Sequence, residues 1–117
     1  MTYGDAAEVL DALGDPTRRA VLELLRNGER PVGELATELP VSRPAVSQHL
    51  RILKGAGLVT ERRDGTRRLY RVDPEGLTAL RAYLEGYWSD VLAAFKDAAE
   101  REATPEAEGE TKGERGR

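Results

Sequence analysis

Cysteine is absent from the 117 residues, which excludes a disulfide framework and any thiolate metal site. The chain has one histidine, His49. No nucleophile–base constellation and no phosphate-cradling glycine loop occur, so nothing in the sequence points to an enzyme. No stretch approaches the roughly 20 apolar residues of a membrane span, and the N-terminus lacks a signal-peptide apolar run. A cytoplasmic address and no membrane partner are therefore expected. Aromatic residues are scarce at 5%, with one Trp and one Phe. The length suits one domain whose core can be only modest, leaving room for a partner subunit to supply part of the burial.

Charge is plentiful and unevenly placed. The whole chain is acidic, at −3. Between Arg43 and Arg71, however, eight basic side chains (Arg43, Arg51, Lys54, Arg62, Arg63, Arg67, Arg68, Arg71) face only Glu61 and Asp64, a balance of +6. Residues 1–42 stand at −4 and residues 72–117 at −5. Positive charge gathered on one segment of an acidic protein is a footprint for a polyanion.

Apolar spacing divides the chain into elements. Ala6, Val9, Leu10 and Leu13 mark a first helix that Gly14 ends. Asp15 offers an N-cap and Pro16 a first helical residue, and Val21, Leu22, Leu24 and Leu25 give a second helix ending at Asn27-Gly28. Val32, Leu35, Ala36 and Leu39 give a short third helix, with a turn at Pro40-Val41. Ser42 caps a fourth helix, in which Val46, Leu50 and Leu53 face the core and Gly55 and Gly57 close the end. Leu58–Arg63 and Arg67–Val72 read as strands joined through Asp64-Gly65, a type I′ hairpin signal. A long helix then runs from Asp73-Pro74 to about Arg101. Residues 1–102 form the domain, and residues 103–117, without a large apolar side chain, are expected to be a disordered charged tail. The fold class is mainly α with a small β-hairpin wing, a dimeric winged helix-turn-helix in the order α-α-α-α-β-β-α.

The fourth helix and the hairpin carry the candidate chemistry. With Val46, Leu50 and Leu53 inward, 100° per residue turns Pro44, Ser47, Gln48 and Arg51 outward. Gln pairs with adenine N6/N7, Arg with guanine O6/N7 or phosphate, and Ser with either base. Ser42 and Arg43 sit at the helix start, suited to phosphate or base contact. The hairpin tip brackets a two-residue turn with Arg62, Arg63, Arg67 and Arg68, narrow enough for a minor groove or flanking phosphates. Strand alternation lets two or three of the four touch DNA. The bland readings are a solvated helix face and a charged edge hairpin that resists aggregation. His49, beside the inward face, suits packing or a phosphate contact, and Tyr70 is placed to pack on the recognition helix. Double-stranded DNA is the expected partner.

Leu13-Gly14-Asp15-Pro16-Thr17-Arg18-Arg19 with Val21-Leu22-Glu23-Leu24-Leu25 resembles the opening of ArsR/SmtB-type repressors. Val32-Gly33-Glu34-Leu35-Ala36, Val46-Ser47-Gln48-His49-Leu50-Arg51-Ile52-Leu53, Gly57-Leu58-Val59 and the Gly65–Tyr70 wing continue the likeness over about residues 5–100. The resemblance implies a homodimeric winged-helix repressor, an operator with two related half-sites and an interface built from the first and last helices. Metal-sensing members use third-helix cysteines or last-helix histidines. This chain has no cysteine, and residues 74–101 hold no histidine. Carboxylates alone make a poor site for soft or borderline metals, so the chain resembles a non-metal branch, with no metal site and no cofactor.

In the last helix Leu77, Leu80, Leu84, Trp88, Val91 and Phe95 form a stripe at helical spacing. It is long for a short domain to cover, and pairing with a second copy is the better reading. Together with Val9 and Leu10 of the first helix, these residues are the expected dimer interface. Two other readings stay open: a winged-helix dimer acting as a protein-interaction module, and a repressor answering to an unrecognised metal or small-molecule effector of unknown identity.

Overall fold

The structure is a computed structural model that describes residues 3–103. Five helices and three strands follow in the order α1 (Tyr3–Ala12), α2 (Pro16–Leu24), β1 (Arg30–Pro31), α3 (Val32–Thr37), α4 (Arg43–Gly55), β2 (Val59–Asp64), β3 (Arg67–Val72) and α5 (Pro74–Ala103). All five expected helices and both expected strands are present. The tail expected at 103–117 lies, apart from Ala103, outside the described residues.

Local chemistry sets the helix starts. Asp15 caps α2, its carboxylate accepting from the backbone N–H of Thr17 at 2.7 Å and of Arg18 at 3.1 Å. Two of the amides that a helix start leaves without partners are thereby satisfied. The arginines that follow close the preceding helix. Arg18 Nε donates to the carbonyl of Ala12 at 2.6 Å, and Arg19 Nη1 to that of Leu13 at 2.7 Å. Ser42 caps α4 by accepting from Ala45 N at 3.3 Å. Asp73 accepts from Glu75 N at the start of α5.

Val9, Ala12, Val21, Leu25, Leu35, Val46, Leu50, Leu53, Leu58 and Val59 build the core, drawing on α1 to α4 and the start of β2. Val46, Leu50 and Leu53 are fully buried, as their spacing predicts. Val9 is a correction. Expected at a subunit interface, it is 1% exposed and belongs to this core. One turn on either side, Ala6 and Ala12 are buried too, so the inward stripe of α1 runs through Val9 and leaves Leu10, at 41% exposed, outside.

The sheet differs from the expected hairpin in two ways. A third strand is present: β1 pairs with β3 through Arg30↔Tyr70 and Pro31↔Leu69, giving the order β1-β3-β2. Two residues carry no period, and one of them is a proline, which suits only a sheet edge. Arg30 anchors this strand to α3 through Glu34 at 2.9 Å and through Glu38. The hairpin loop is also shifted by one position. Asp64↔Arg67 is the last pair, so the loop is Gly65-Thr66 rather than Asp64-Gly65. Gly65 takes φ +67, the left-handed value that hairpin loops ask of their first residue. The shift moves each cross-strand partner by two residues, which keeps every side chain on its face but sets Glu61 opposite Tyr70.

The chain falls into two units, residues 1–83 and residues 84–117. The first holds the core and the sheet. In the second, residues 84–103 are helical and carry one apolar stripe, with Leu84 49%, Trp88 64%, Val91 45% and Phe95 70% exposed.

Candidate nucleic-acid interface

Helix α4 presents the face that its spacing predicts. Pro44, Gln48 and Arg51 are exposed and Ser47 is half-buried, opposite the buried Val46, Leu50 and Leu53. Ser42 and Arg43 are exposed at the helix start. Gln48 and Arg51 touch each other, with Arg51 Nη1 donating to Gln48 Oε1. His49 is half-buried, and its Nδ1 is closed off from solvent without a hydrogen-bond partner among the described residues. That placement makes His49 an inner residue of the helix rather than part of its outward face.

The wing divides by strand alternation. Glu61, Arg63, Arg68 and Tyr70 share one face, since Glu61↔Tyr70 and Arg63↔Arg68 are direct pairs. Arg62 and Arg67 lie on the other face. The first face adjoins α4, because Lys54 Nζ at the end of that helix reaches Glu61 Oε2 at 3.2 Å. Arg68 Nη1 reaches the same oxygen at 2.9 Å. Glu61 therefore joins the recognition helix to the wing, a role that reading the sequence did not assign to it. The register and the Lys54 contact create that role, and neither can be read locally.

Glu61 and Tyr70 shape each other's titration. The hydrogen bond from the Tyr70 hydroxyl, with Lys54 and Arg68 in support, holds the Glu61 carboxyl below its ordinary range, although partial burial opposes this. Burial, and then the Glu61 carboxylate, push Tyr70 up to about 12. Tyr70, expected to pack on the recognition helix, packs against the core cluster to which Val46, Leu50 and Leu53 of that helix belong.

Several of the arginines are paired. Arg62 makes a forked bond to Glu29, with Nη2 to Oε1 at 2.6 Å and Nε to Oε2 at 3.1 Å, and that bond lowers the Glu29 pKa. Arg67 meets Asp64 at 3.3 Å. Arg43, Arg51, Arg63 and Arg71 have no ion pair among the described residues. Exposed ion pairs are worth little and phosphate can replace them, so the paired arginines stay exchangeable. The unpaired ones need no exchange. Among the described residues no group of three or more His, Asp or Glu is placed to hold a metal ion, and no helix is long and apolar enough to cross a membrane.

A short helix, a turn and a capped recognition helix, followed by a basic hairpin, define a winged helix-turn-helix protein. Residues 15–61 match the family model described as "Bacterial regulatory protein, arsR family". The chain is 50% identical over 101 residues to the HTH-type transcriptional regulator Rv2034 of Mycobacterium tuberculosis (strain ATCC 25618 / H37Rv), spanning 86% of this chain and 94% of the relative. Among solved structures, an ArsR-like transcriptional regulator from Rhodococcus sp. RHA1 is 37% identical, with a TM-score of 0.70 over 83% of this chain and 94% of that one. The homodimeric winged helix-turn-helix DNA-binding domain of a possible ArsR-family regulator from Mycobacterium bovis is 36% identical, with a TM-score of 0.61 over 76% of this chain and 82% of that one. The chain belongs to the ArsR family of transcriptional regulators, through a winged helix-turn-helix of the DNA-binding kind.

Proposed function

We propose that the protein is a homodimeric, cytoplasmic transcriptional repressor that binds a double-stranded operator with two related half-sites, has no catalytic activity and uses no metal or cofactor. One observation carries the reading: the polar face of α4 and one face of the wing adjoin, joined by Lys54 and Glu61, and both are rich in arginine. In this reading Ser42, Arg43, Pro44, Ser47, Gln48 and Arg51 enter a major groove. Arg63 meets phosphate or a minor groove, and Arg62, Arg67 and Arg68 follow after releasing Glu29, Asp64 and Glu61. His49 supports the helix from its inner side.

The exposed stripe of α5 supports the dimer. Leu84, Trp88, Val91 and Phe95 are all at least 45% exposed, an unusual arrangement for a run of large apolar side chains in water. In the first unit, Leu10 and Leu77, both 41% exposed, are also proposed to meet the second copy, with Leu80 half-buried beside the core.

Duplex binding as a function of salt tests the function. The logarithm of the association constant should fall by about 0.9 per phosphate contact for each decade of salt. Arg63→Ala should weaken binding to operator and random duplex alike and lower that slope. Binding that is absent at low salt, or unaffected by salt, would refute the proposal.

A further inference from the structure

We propose that Glu61 is the positioning residue of the wing: held by Lys54 and Tyr70, it sets the tip against α4 so that Arg63 meets the duplex in register with the recognition helix. The inference rests on the DNA-binding reading above and deepens it by naming what aims the wing.

Glu61 stands where the hairpin leaves the domain. Val59 is buried and Glu61 half-buried, while every residue from Arg62 to Arg68 is exposed. A two-stranded hairpin alone in water is marginally stable at best, so the direction of the tip depends on its last fixed point. On the face that adjoins α4, that point is Glu61. Its side chain is 19% exposed, against 52% for Lys54 and 50% for Arg68. A carboxylate so far withdrawn from water needs donors. Lys54 Nζ supplies one from the end of α4 at 3.2 Å. Strand β3 supplies two more, Arg68 Nη1 at 2.9 Å and the Tyr70 hydroxyl. The Tyr70 ring in turn packs against the core. One carboxylate is thus fixed to the recognition helix by one donor and to the core through another.

The three donors are not equivalent. Arg68 is exposed, and phosphate can replace its carboxylate partner. The Tyr70 hydroxyl belongs to a ring packed in place and remains when Arg68 leaves. Arg63 lies two residues beyond Glu61 on the same face, about 7 Å further along the strand, so a tilt at Glu61 is carried to Arg63. The other face has its own tie, from Arg62 to Glu29. In the proposed complex that tie is given up, and Glu61 is left to aim the wing.

A carboxylate beside a DNA-binding surface also repels phosphate, and the two effects have opposite signs. If Glu61 were only a charge, removing it would strengthen the cations near it, Arg63 included. If it aims the wing, removing it makes Arg63 less effective.

The test is a double-mutant cycle on the full-length protein, using a duplex that wild type selects from a random library. Arg63→Ala is measured in wild type, Glu61→Ala and Tyr70→Phe, each below its melting temperature. In wild type it should weaken binding about tenfold or more, as expected for one charge-assisted hydrogen bond. In each of the other two backgrounds that penalty should shrink by about two- to tenfold, the range of one net hydrogen bond. Tyr70→Phe removes a hydroxyl and no charge, so loss of a carboxylate cannot account for its effect. The Gln48→Ala penalty should be the same in all three backgrounds, which a general loss of structure would not allow. An Arg63→Ala penalty that stays unchanged or grows in either background would overturn the inference and leave the DNA-binding reading intact. A wild-type protein that selects no duplex, or one that Arg63→Ala leaves unaffected, would overturn both the inference and the reading it rests on.

Discussion

Gly76→Ala should destabilise the protein, while the same substitution ten residues further along the same helix should stabilise it. A Cβ at Gly76 would lie 2.2 Å from the carbonyl oxygen of Gly57, 2.8 Å from its carbonyl carbon and 3.2 Å from Leu58 Cα. All three atoms are backbone, so no side chain can turn away. The start of α5 is also tethered there, since Asp73 N donates to Leu58 O at 2.8 Å. Gly57 sits at φ +82, in the left-handed region, and cannot easily be rearranged. Overpacking of this kind costs about 1–3 kcal/mol. Alanine's advantage in a helix interior is at most about 1 kcal/mol and is smaller in a first turn. The net loss should be on the order of 1–2 kcal/mol, or roughly 4–16 °C in melting temperature for a domain of this size. Gly86 is the control. A Cβ there would meet nothing within 4 Å, and 100° per residue puts it opposite Leu84, Trp88 and Val91. Gly86→Ala should gain about 1 kcal/mol from helix propensity alone. Thermal melts of both variants and wild type at one protein concentration decide the matter. A Gly76→Ala protein melting at or above wild type would refute the close-approach argument.

Removing the α2 cap with Asp15→Ala should lower the melting temperature at neutral pH. Asp15 has a depressed pKa because its carboxylate accepts the Arg18 and Thr17 amides, so its contribution is present above the unfolded value and fades as acid protonates it; melts of variant and wild type should converge at low pH. Glu61, depressed by Tyr70 and Lys54, should act in the same sense, and Glu61→Gln should reduce the acid sensitivity. Tyr70 has the opposite shift, to about 12 from 10.0, so the fold should lose stability as pH rises from about 10 through about 12. Tyr70→Phe should abolish that alkaline loss, as pH-dependent denaturant titrations can show. In the proposed dimer, Trp88→Ala or Leu84→Ala should cost on the order of 2–5 kcal/mol of dimer stability. Sedimentation checks this, and a double variant that stays fully dimeric would show that the stripe serves another purpose.

The elements that follow a local rule were legible in the amino-acid order. Val46, Leu50 and Leu53 recur at helical spacing, and burying them leaves Gln48 and Arg51 no place but the outside. Asp15-Pro16 and Ser42 start helices because their side chains reach amides two or three residues away, a contact that needs nothing distant. The concentration of arginine between Arg43 and Arg71 is equally local, as is the absence of cysteine that sets the chain apart from thiolate sensors.

What stayed hidden depends on residues far apart in sequence. Strand β1 exists because Arg30 and Pro31 meet Tyr70 and Leu69, and two residues on their own carry no period. The loop position was ambiguous by one residue because Asp64 and Gly65 both suit a turn; the Asp64↔Arg67 pairing placed Gly65 first. Val9 and Leu10 are neighbours of similar chemistry, and only the packing of α1 turned one into core and left the other outside. Sequence alone showed four arginines at the wing and, by strand alternation, that they could not all face one way, but not which of them would be paired. Folding brought Glu29 to Arg62 from 33 residues away and Glu61 to both Lys54 and Arg68 across the helix–strand and strand–strand contacts, and so fixed which cations stand unpaired. Periodicity and capping act over one or two turns of chain and are written into residue order, whereas register, close backbone approach and ion pairing are set by which surfaces meet, and that only the folded chain decides.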